Sequence, residues 1–418
     1  MPFPPIAEPR ASPRAFVAPG NLLAAAALVA PPVAIFAPLA VAPLLALLAA
    51  ALLALDGRRC VAALRPFTPL VLLLALLSLW AALSASWSPI PGHSLFEAGR
   101  LLVISGAGLI TVGAGASLTA SDAQRLGGAA IIGVAGALAL LQFERWTGGA
   151  LLGLFHRTPI SPAMLLYRYD RGVTFVLLAA WPAAAALAER RGIAALFVGA
   201  VAAAVTLFEF RSQTALLAGV IGVVAALAAW RLPRSVAALM VAGALLLVVV
   251  FPIVAPGAAA IERIRQGGPM LKESAIHRLI IWRFTAERIA ERPLLGWGMD
   301  ASRAIPGGEA HASDVMPEVK MTGVVTMLPL HPHDAALQWR LELGLPGALL
   351  CIAILGLVLW RAARSPHIPP PQRALVLGCT AAVLIIAMLS FGAWQAWWLS
   401  SIWLTAALLA GVQPRPVS

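Results

Sequence analysis

The chain has 418 residues, of which 61% are hydrophobic and 11% charged, with a mean hydropathy of +0.89. Ordinary soluble domains are about 45–50% apolar and about 25% charged, so a water-soluble fold of this size could not cover so much apolar surface. In a soluble protein the net charge of +12 would suggest a nucleic-acid partner. Here the basic residues are scattered between apolar stretches, and there is no basic tail. This pattern argues against nucleic-acid binding and indicates a membrane protein.

Apolar runs along the chain predict an all-α, polytopic transmembrane bundle. Crossing a hydrocarbon core of about 30 Å takes about 20 mostly apolar residues. Twelve runs approach this length, at about 20–36, 38–55, 69–85, 101–117, 126–143, 172–188, 193–208, 214–230, 235–254, 336–360, 374–390 and 396–412. We therefore expect spans 1–9 in residues 1–254, a large loop in 255–335 and spans 10–12 in 336–418. Arg10 and Arg14 precede the first run as in a signal sequence, but the many later spans favour an uncleaved first helix.

The arginines predict the orientation of the bundle. If the N-terminus is cytoplasmic, every cytoplasmic turn contains basic residues, as the positive-inside rule requires. These are Arg58, Arg59, Arg65, Arg125, Arg190, Arg191, Arg231, Arg234, Arg361, Arg364 and Arg373, with Arg415 in the tail. Both termini are then cytoplasmic, and the loop at 255–335 is periplasmic. Long loops translocate regardless of charge, so the basic residues of that loop are compatible with this orientation.

The large loop contains a predicted amphipathic helix. In the stretch AIHRLIIWRFTAERIAERPLLGWG, apolar residues recur at helical spacing, at Leu279, Trp282, Ala286 and Ile289. Pro293 ends this helix, and Gly296 and Gly298 begin a turn. Such a helix could lie in the membrane interface, with its tryptophan at headgroup depth. From about 299 to 330 the Gly, Pro and Ser content predicts an irregular cover.

Two arginines stand in or beside short outer turns, where the positive-inside rule disfavours them: Arg100 and Arg211. Arg211, in LFEFRSQTALL, lies between two apolar spans, and ionisable residues at such positions are functional candidates. Its planar set of donors would fit the oxygens of a diphosphate. The alternatives are snorkelling or a pair with Glu209. That pair is disfavoured, because residues two apart on a helix do not face each other.

His333 lies in LHPHDAALQWRLELGLPGALL, where the outer loop re-enters the membrane. A neutral imidazole is a suitable general base at near-neutral pH. His331, His333 and Asp334 could instead bind a metal, although no fourth ligand is apparent. A third interpretation is a helix cap or a structural histidine.

Arg278, one turn before Trp282, would place a cation at the membrane surface within reach of a lipid headgroup. It could equally be the solvated edge of an amphipathic helix. Gln338 and Glu342 follow the His333 segment at helical spacing and could support it, but Glu342 could also simply pair with Arg340.

Several motifs are absent from the sequence. It has no DxD or ExD in an outer loop, no P-loop, no GxSxG and no HExxH. The three cysteines form no CxxC, so no zinc site or disulfide framework is predicted. We therefore expect neither a metal nor a cofactor, and a diphosphate leaving group would have to be neutralised by arginines.

Three segments resemble the motifs of the O-antigen ligase and polymerase superfamily. HRLIIWRFTAERIAERPLLGWG resembles its "R…W…a…P-L-x-G-x-G" motif, HPHDAALQWRLELGLPG its "H-N…q…e-l-G-l-x-G" motif, and FRSQTALLAG its "S/F-R-(S/G)" turn. The resemblance covers about residues 205–350. It implies a GT-C-like helical bundle and a metal-independent glycosyltransferase of the inner membrane. The implied donor is an undecaprenyl-diphosphate-linked glycan, and the implied acceptor is a sugar hydroxyl of lipid A–core.

Carried over residue by residue, the resemblance implies that Arg211 and Arg278 bind the diphosphate and that His333 accepts the proton of the acceptor hydroxyl. Direct displacement would then invert the anomeric configuration. Further substrate contacts are expected from Trp282, His331, Asp334, Gln338 and Arg100. One departure is Asp334, where the family often has asparagine. Its negative charge is expected to raise the pKa of His333.

Three alternatives stay open beside the ligase. They are an O-antigen polymerase of the same superfamily, a protein O-oligosaccharyltransferase, and a transporter of lipid or polysaccharide without catalysis. Protein O-oligosaccharyltransferases are usually longer, with an extra outer domain. A transporter should show repeat symmetry or paired broken helices, and neither is evident in the sequence.

Overall fold

The computed structural model describes residues 18–155, 161–267, 273–321, 323–366 and 368–412. Within these ranges the chain folds into α-helices joined in places by short 3₁₀ turns. They are α1 (Pro19–Phe36), α2 (Val41–Ala62), α3 (Thr68–Leu83), α4 (Pro91–Ala116), α5 (Ala120–Thr147), α6 (Ala150–Phe155), α7 (Pro162–Glu209), α8 (Gln213–Arg231), α9 (Pro233–Val249), α10 (Phe251–Val254), α11 (Ala258–Gly267), α12 (Glu273–Glu291), α13 (Ala312–Val315), α14 (Ala335–Arg364), α15 (Pro370–Leu389) and α16 (Ala396–Gly411).

The prediction of an all-α, polytopic membrane protein is confirmed. Nine helical segments of the described ranges are long and apolar enough to cross a membrane. Three shorter apolar helices, Ala194–Glu209, Pro233–Val249 and Ala396–Gly411, bring the set to the twelve runs of the sequence. Helix α7 contains two of these runs, which are separated by a break at Gly192, where φ is 75°. Arg10, Arg14 and Arg415 lie outside the described residues.

Glycines bring several helices into backbone contact. Helices α8 and α15 approach so closely that a Cβ on Gly378 would lie 2.6 Å from the carbonyl oxygen of Gly222. A Cβ on Gly133 of α5 would lie 2.2 Å from the carbonyl oxygen of Ala27 in α1. Transmembrane helices associate largely through close van der Waals packing, which small residues permit. The abundance of glycine and alanine therefore accounts for the close approach of these pairs.

The described residues between α9 and α14 form a folded cap, whose apolar core also includes Leu337 and Leu341 of α14. Ile276, Ile280 and Phe284 of α12 are at most 5% exposed and pack with Met327 and Leu328 of the irregular segment. As expected, this segment has little regular structure. It contains a 3₁₀ turn, α13 and one isolated β-bridge between residues 311 and 326.

The predicted amphipathic helix is present as α12, but its buried face differs from the predicted one. Ala286 and Ile289 are buried as expected, whereas Leu279 and Trp282 are only half-buried. Burial is centred instead on the isoleucines at 276, 280 and 281, which face the cap core and α14. The face formed by these isoleucines is therefore covered by protein.

The turn after α12 docks onto a break in α14 through backbone hydrogen bonds. The N–H of Trp297 donates to the carbonyl oxygen of Leu341 at 2.9 Å, and the N–H of Leu345 donates to that of Leu294 at 3.1 Å. The break is made by Gly344, which has a φ of 64° inside the helix. It exposes backbone groups that a continuous helix would pair within itself.

Both sides of this docking contact require glycine. A Cβ on Gly296, whose φ is 70°, would lie 2.5 Å from the backbone nitrogen of Gly344. A Cβ on Gly344 would lie 1.9 Å from the carbonyl oxygen of Leu294. Gly296 of the "P-L-x-G-x-G" motif and Gly344 of the "e-l-G-l-x-G" motif are therefore the two sides of one contact.

Gly344→Ala is expected to destabilise the protein strongly. Gly344 combines its φ of 64° with a ψ of −164°, a conformation restricted essentially to glycine, which costs about 1–3 kcal/mol for a residue with a Cβ. The overlap with Leu294 also forces the cap away from α14. We expect a lower midpoint of thermal unfolding and faster proteolysis of the cap in detergent.

The matched control is Gly136→Ala in α5, where no atom lies within 4 Å of the added Cβ. A Gly344→Ala protein as stable as this control would contradict the docking role.

Candidate functional site

One end of the bundle, here called the site end, brings together the polar segments of the protein. They are the start of α7, the turn between α7 and α8, helix α12, the loop before α14 and the loop before α16. Arg211, Arg278 and His333 each belong to a different one of these segments. Tertiary structure therefore has to assemble the site.

His333 is held in one orientation and one tautomer. Its φ of 56° is left-handed, which is a strained conformation for a residue with a Cβ. Such strained residues are concentrated at functional sites. Its Nδ1 lies 2.6 Å from the carbonyl oxygen of Ser390. Because a carbonyl only accepts, Nδ1 carries the proton, and Nε2 of the neutral ring keeps its lone pair. Burial lowers the pKa of His333, the bond to Ser390 partly opposes this, and the charge of Arg278 lowers it further. The ring is thus a neutral base at near-neutral pH.

His331 positions the backbone of His333. The N–H of His333 donates to Nδ1 of His331 at 3.2 Å, and the two rings lie 4.3 Å apart between centroids. This contact needs an unprotonated Nδ1. Burial, with a contribution from the neighbouring His333, lowers the pKa of His331 to about 3, in agreement with that requirement. The other ring nitrogen lies 3.2 Å from the side-chain amide of Gln395. Nδ1 of His331 is therefore used to hold the backbone of His333.

Asp334 is the N-cap of α14. Its Oδ1 accepts from the N–H of Leu337 at 2.9 Å, a standard way to satisfy a helix start. Burial raises the pKa of Asp334 to about 7. The expectation that this residue raises the pKa of His333 is wrong, because burial of His333 dominates and the carboxylate faces the helix. Among the described residues, His331, His333 and Asp334 do not place three ligand atoms around one point.

Three other ligand-type side chains do converge at this end: His93, Glu97 and Asp300. His93 Nε2 lies 2.8 Å from a carboxylate oxygen of Asp300. Arg100 pairs with Glu97, and Arg303 pairs with Asp300 at 2.9 Å. Both carboxylates already have cationic partners, so the group is an ion-pair network that joins α4 to the cap.

Arg278 is a half-buried cation without a hydrogen bond in the described part of the chain, and its Nε is buried and unpaired. Burial lowers the pKa of Arg278, and the negative charge of Asp170 opposes that effect. A guanidinium is strongly basic, so it stays charged at neutral pH. Because an unpaired buried charge is costly, this position suits an anionic ligand.

Arg211 occupies the turn between α7 and α8 with a φ of 53°. Its side chain is exposed, and across the described ranges its guanidinium has neither a hydrogen bond nor an ion pair. The alternative pair with Glu209 does not form. The next residue, Ser212, donates through Oγ to Asp170 at 2.8 Å. Asp170 therefore adjoins the turn of Arg211, and its negative charge acts on Arg278.

Trp282 and Arg100 make contacts that join segments of the site end. Trp282 donates through Nε1 to the carbonyl oxygen of Pro332 at 3.1 Å and packs edge-on against Phe251 at 5.6 Å. It thereby attaches α12 to the loop of His333. Arg100 donates to the carbonyl oxygen of Trp394 at 3.2 Å, in the loop before α16.

Glu342 is the fully buried centre of a hydrogen-bond network. One oxygen accepts from the N–H of Asp300 at 3.0 Å and from Nε1 of Trp394 at 2.6 Å. The other accepts from the hydroxyl of Ser302 and from the amide of Gln338 at 3.2 Å. The carboxylate thus joins the cap, α14 and the loop before α16.

Gln338 extends this network, because its Oε1 accepts from the N–H of Ala393 at 2.8 Å. The alternative pair of Glu342 with Arg340 does not form. Arg340 donates to the carbonyl oxygen of Pro293 instead.

Asp170, Arg171 and Ser390 were not predicted as site residues from the sequence. Arg171 lies over the ring of Trp397 at 5.7 Å, and its charge acts on His331. Adjacent charged residues at the start of an apolar run were a visible signal for Asp170 and Arg171. Ser390 acts through its backbone carbonyl, which carries no signal in the side-chain pattern.

Comparison with known proteins shows that the site segments are similar to one family. Residues 198–352 match the family model described as "O-Antigen ligase". The predicted resemblance to the O-antigen ligase family is confirmed. The matched range contains Arg211, Arg278 and His333 and agrees with the range of about 205–350 found from the motifs.

Curated relatives agree with this similarity. A protein of Rickettsia conorii named "Putative polysaccharide ligase" is 32% identical over 142 residues, which cover 34% of this chain and 33% of the relative. A protein of the same name from Rickettsia prowazekii is 42% identical over 82 residues, covering 20% of this chain and 19% of the relative. The aligned parts span a third or less of the length of these relatives. No solved structure gives a significant match.

Glu342→Gln is expected to destabilise the assembled site. Every contact of this side chain is made as an acceptor, so the new NH₂ group must face other donors. An unsatisfied buried donor costs about 1–3 kcal/mol. We expect a clear drop in the midpoint of thermal unfolding.

The matched control for this change is Glu287→Gln, which breaks a half-exposed pair with Arg283. Such pairs contribute about 0.2–1 kcal/mol. Equal stability of the two variants would contradict the role assigned to Glu342.

Proposed function

We propose that this protein is a membrane-embedded glycosyltransferase that acts as an O-antigen ligase. The observation that carries the proposal is the state of His333, a strained and neutral imidazole whose Nε2 has no hydrogen-bond partner among the described residues and can accept a proton. The charge of Arg278, which has no counter-ion bonded to it in the same ranges, acts on this ring. Similarity to the O-antigen ligase family and to proteins named as polysaccharide ligases supports transfer of a glycan. The donor, the acceptor and the roles of single residues are parts of the proposal.

In the proposed reaction, a hydroxyl oxygen of lipid A–core attacks the anomeric carbon of a glycan linked to undecaprenyl diphosphate. The bond between that carbon and the phosphate oxygen breaks, and its electron pair leaves with the diphosphate. Nε2 of His333 accepts the proton of the attacking hydroxyl. A single displacement of this kind inverts the anomeric configuration.

Arg278 and Arg211 would neutralise the departing diphosphate. Arg278 lacks a hydrogen-bond partner in the described ranges, and Arg211 projects from a strained turn, so both guanidinium groups have donors to offer. Charge-assisted hydrogen bonds to a group that becomes more negative in the transition state favour its departure. No metal is required for this role. Trp282, His331, Asp334 and Gln338 would act mainly by holding the segments of His333 and Arg278 in place.

We further propose that the protein lies in the inner membrane with the site end facing the periplasm. The arginine-rich turns gather at the opposite end, where Arg59 donates to the carbonyl oxygen of Ser117 at 2.8 Å and Arg361 donates to that of Pro66. Positive charge concentrated at one end of a bundle favours a cytoplasmic location for that end. Both termini would then be cytoplasmic.

In a strain lacking this gene, we expect all O-antigen polymer to disappear from lipid A–core in lipopolysaccharide gels. A gel that shows core capped by a single repeat would indicate a polymerase instead. We expect no restoration of the polymer by His333→Ala, Arg278→Ala or Arg211→Ala. Each substitution should lower the rate of transfer at least about 100-fold, because general-base and electrostatic contributions to catalysis are typically of that size.

Matched controls are His311→Ala, an exposed cap histidine, and Arg283→Ala, a surface arginine on the same helix as Arg278. Membrane insertion of each variant is checked by blotting. Full complementation by any of the three site variants would remove the role assigned to that residue.

The pH dependence of kcat/KM should have its acid limb below pH 6.5. The base must be neutral, and the pKa of His333 is lowered, so the neutral form persists to a lower pH than for an ordinary histidine. The measurement is transfer by the purified protein in lipid vesicles between pH 4.5 and 8. A midpoint above 6.5 would contradict the assignment of His333 as the base.

A further inference from the structure

We propose that Asp170 is a positioning residue for the anion site, fixing the turn of Arg211 and balancing the charge of Arg278 until an anionic ligand arrives. The inference rests on the proposed function for the nature of that ligand, a diphosphate.

The place of Asp170 is fixed by its neighbour in α7. Tyr169 is fully buried, and its hydroxyl donates to the buried carboxylate of Glu144. Its ring packs edge-on against Phe210 at 5.7 Å, directly before the turn of Arg211. The start of α7 is thus attached firmly to that turn, and Asp170 is presented to it in one orientation.

One carboxylate oxygen of Asp170 makes the hydrogen bond that closes the turn. Its Oδ1 accepts from Oγ of Ser212 at 2.8 Å. Arg211 itself is left-handed, and a strained backbone persists only where its surroundings enforce it. The hydrogen bond to Ser212 and the packing of Phe210 supply that constraint.

The charge of Asp170 acts on the other arginine. Each of Asp170 and Arg278 experiences the field of the other. Arg278 has no hydrogen-bonded counter-ion among the described residues, so Asp170 compensates a cation that it does not bind directly. Arg171 also acts on Asp170. The site therefore carries more positive charge than one carboxylate can balance, as an anion site requires.

The negative charge of Asp170 also disfavours binding of the diphosphate. A bound diphosphate places further negative charge near this carboxylate, and like charges at short range in a poorly solvated site repel strongly. The same repulsion favours release of the diphosphate after transfer. Asp170 thus weakens diphosphate binding while it holds the turn of Arg211 in place.

Two substitutions separate these effects. Asp170→Asn keeps an oxygen for Ser212 and removes only the charge, whereas Ser212→Ala keeps the charge and removes only the hydrogen bond. Glu189→Gln is the control, an exposed acidic residue at the far end of the first span of α7. The first readout is calorimetric binding of inorganic diphosphate to the purified full chain, with folding checked by size exclusion.

We expect Asp170→Asn to bind inorganic diphosphate about tenfold more tightly than the unsubstituted protein, because one like charge is removed. Ser212→Ala should bind it several-fold more weakly, because the turn of Arg211 is released. Glu189→Gln should show no change. Unchanged or weaker binding in a folded Asp170→Asn protein, or absence of binding in every variant, overturns the inference. If Asp170→Asn fails to fold, unchanged binding in Ser212→Ala overturns it.

The second readout is transfer from a lipid-linked glycan donor in vesicles. For Asp170→Asn we expect both the donor KM and kcat to fall, since the donor binds more tightly and the product leaves more slowly. Simple loss of folded protein would lower kcat at constant KM, and that result would count against the inference. A further outcome is that the affinities of the variants for inorganic diphosphate follow the expected order while the unsubstituted protein transfers no glycan. In that case the proposed function fails and the anion site stands.

Discussion

The backbone contact between the turn at Gly296 and the break at Gly344 holds the site end together. Without a Cβ on either side, the cap can hydrogen-bond directly to the opened turn of α14. That contact places Glu342 under the cap, where its carboxylate collects donors from three segments. The position of the loop that carries His333 depends on this arrangement, because α14 begins directly after it.

Local strain at the site end is balanced by specific partners. His333 and Arg211 both have left-handed backbones, and each is fixed by a neighbouring polar group. For His333 the partners are the ring of His331 and the carbonyl oxygen of Ser390. For Arg211 the partner is Asp170, through Ser212. Strained residues are kept where geometry matters for function, which is consistent with the proposed roles of both.

Charge at the site end follows one pattern. Most arginines there have partners: Arg100 pairs with Glu97 and Arg303 with Asp300. Arg278 and Arg211 lack such pairs among the described residues, and so does Arg171, whose guanidinium lies over the ring of Trp397. The paired arginines hold segments together, whereas the unpaired ones can bind an anion. A single charge count could not have separated these two groups.

The sequence by itself determined the membrane class, the twelve apolar runs and the helix α12, because each is a property of local composition and periodicity. It also pointed to Arg211, Arg278 and His333, through topology and motif spacing. Only the tertiary structure decided which side chains support them. The pKa of His333 is set by burial and not by the adjacent Asp334, which is used in a helix cap. The roles of Ser390 and Asp170 likewise arise from contacts between distant segments, which local patterns do not record.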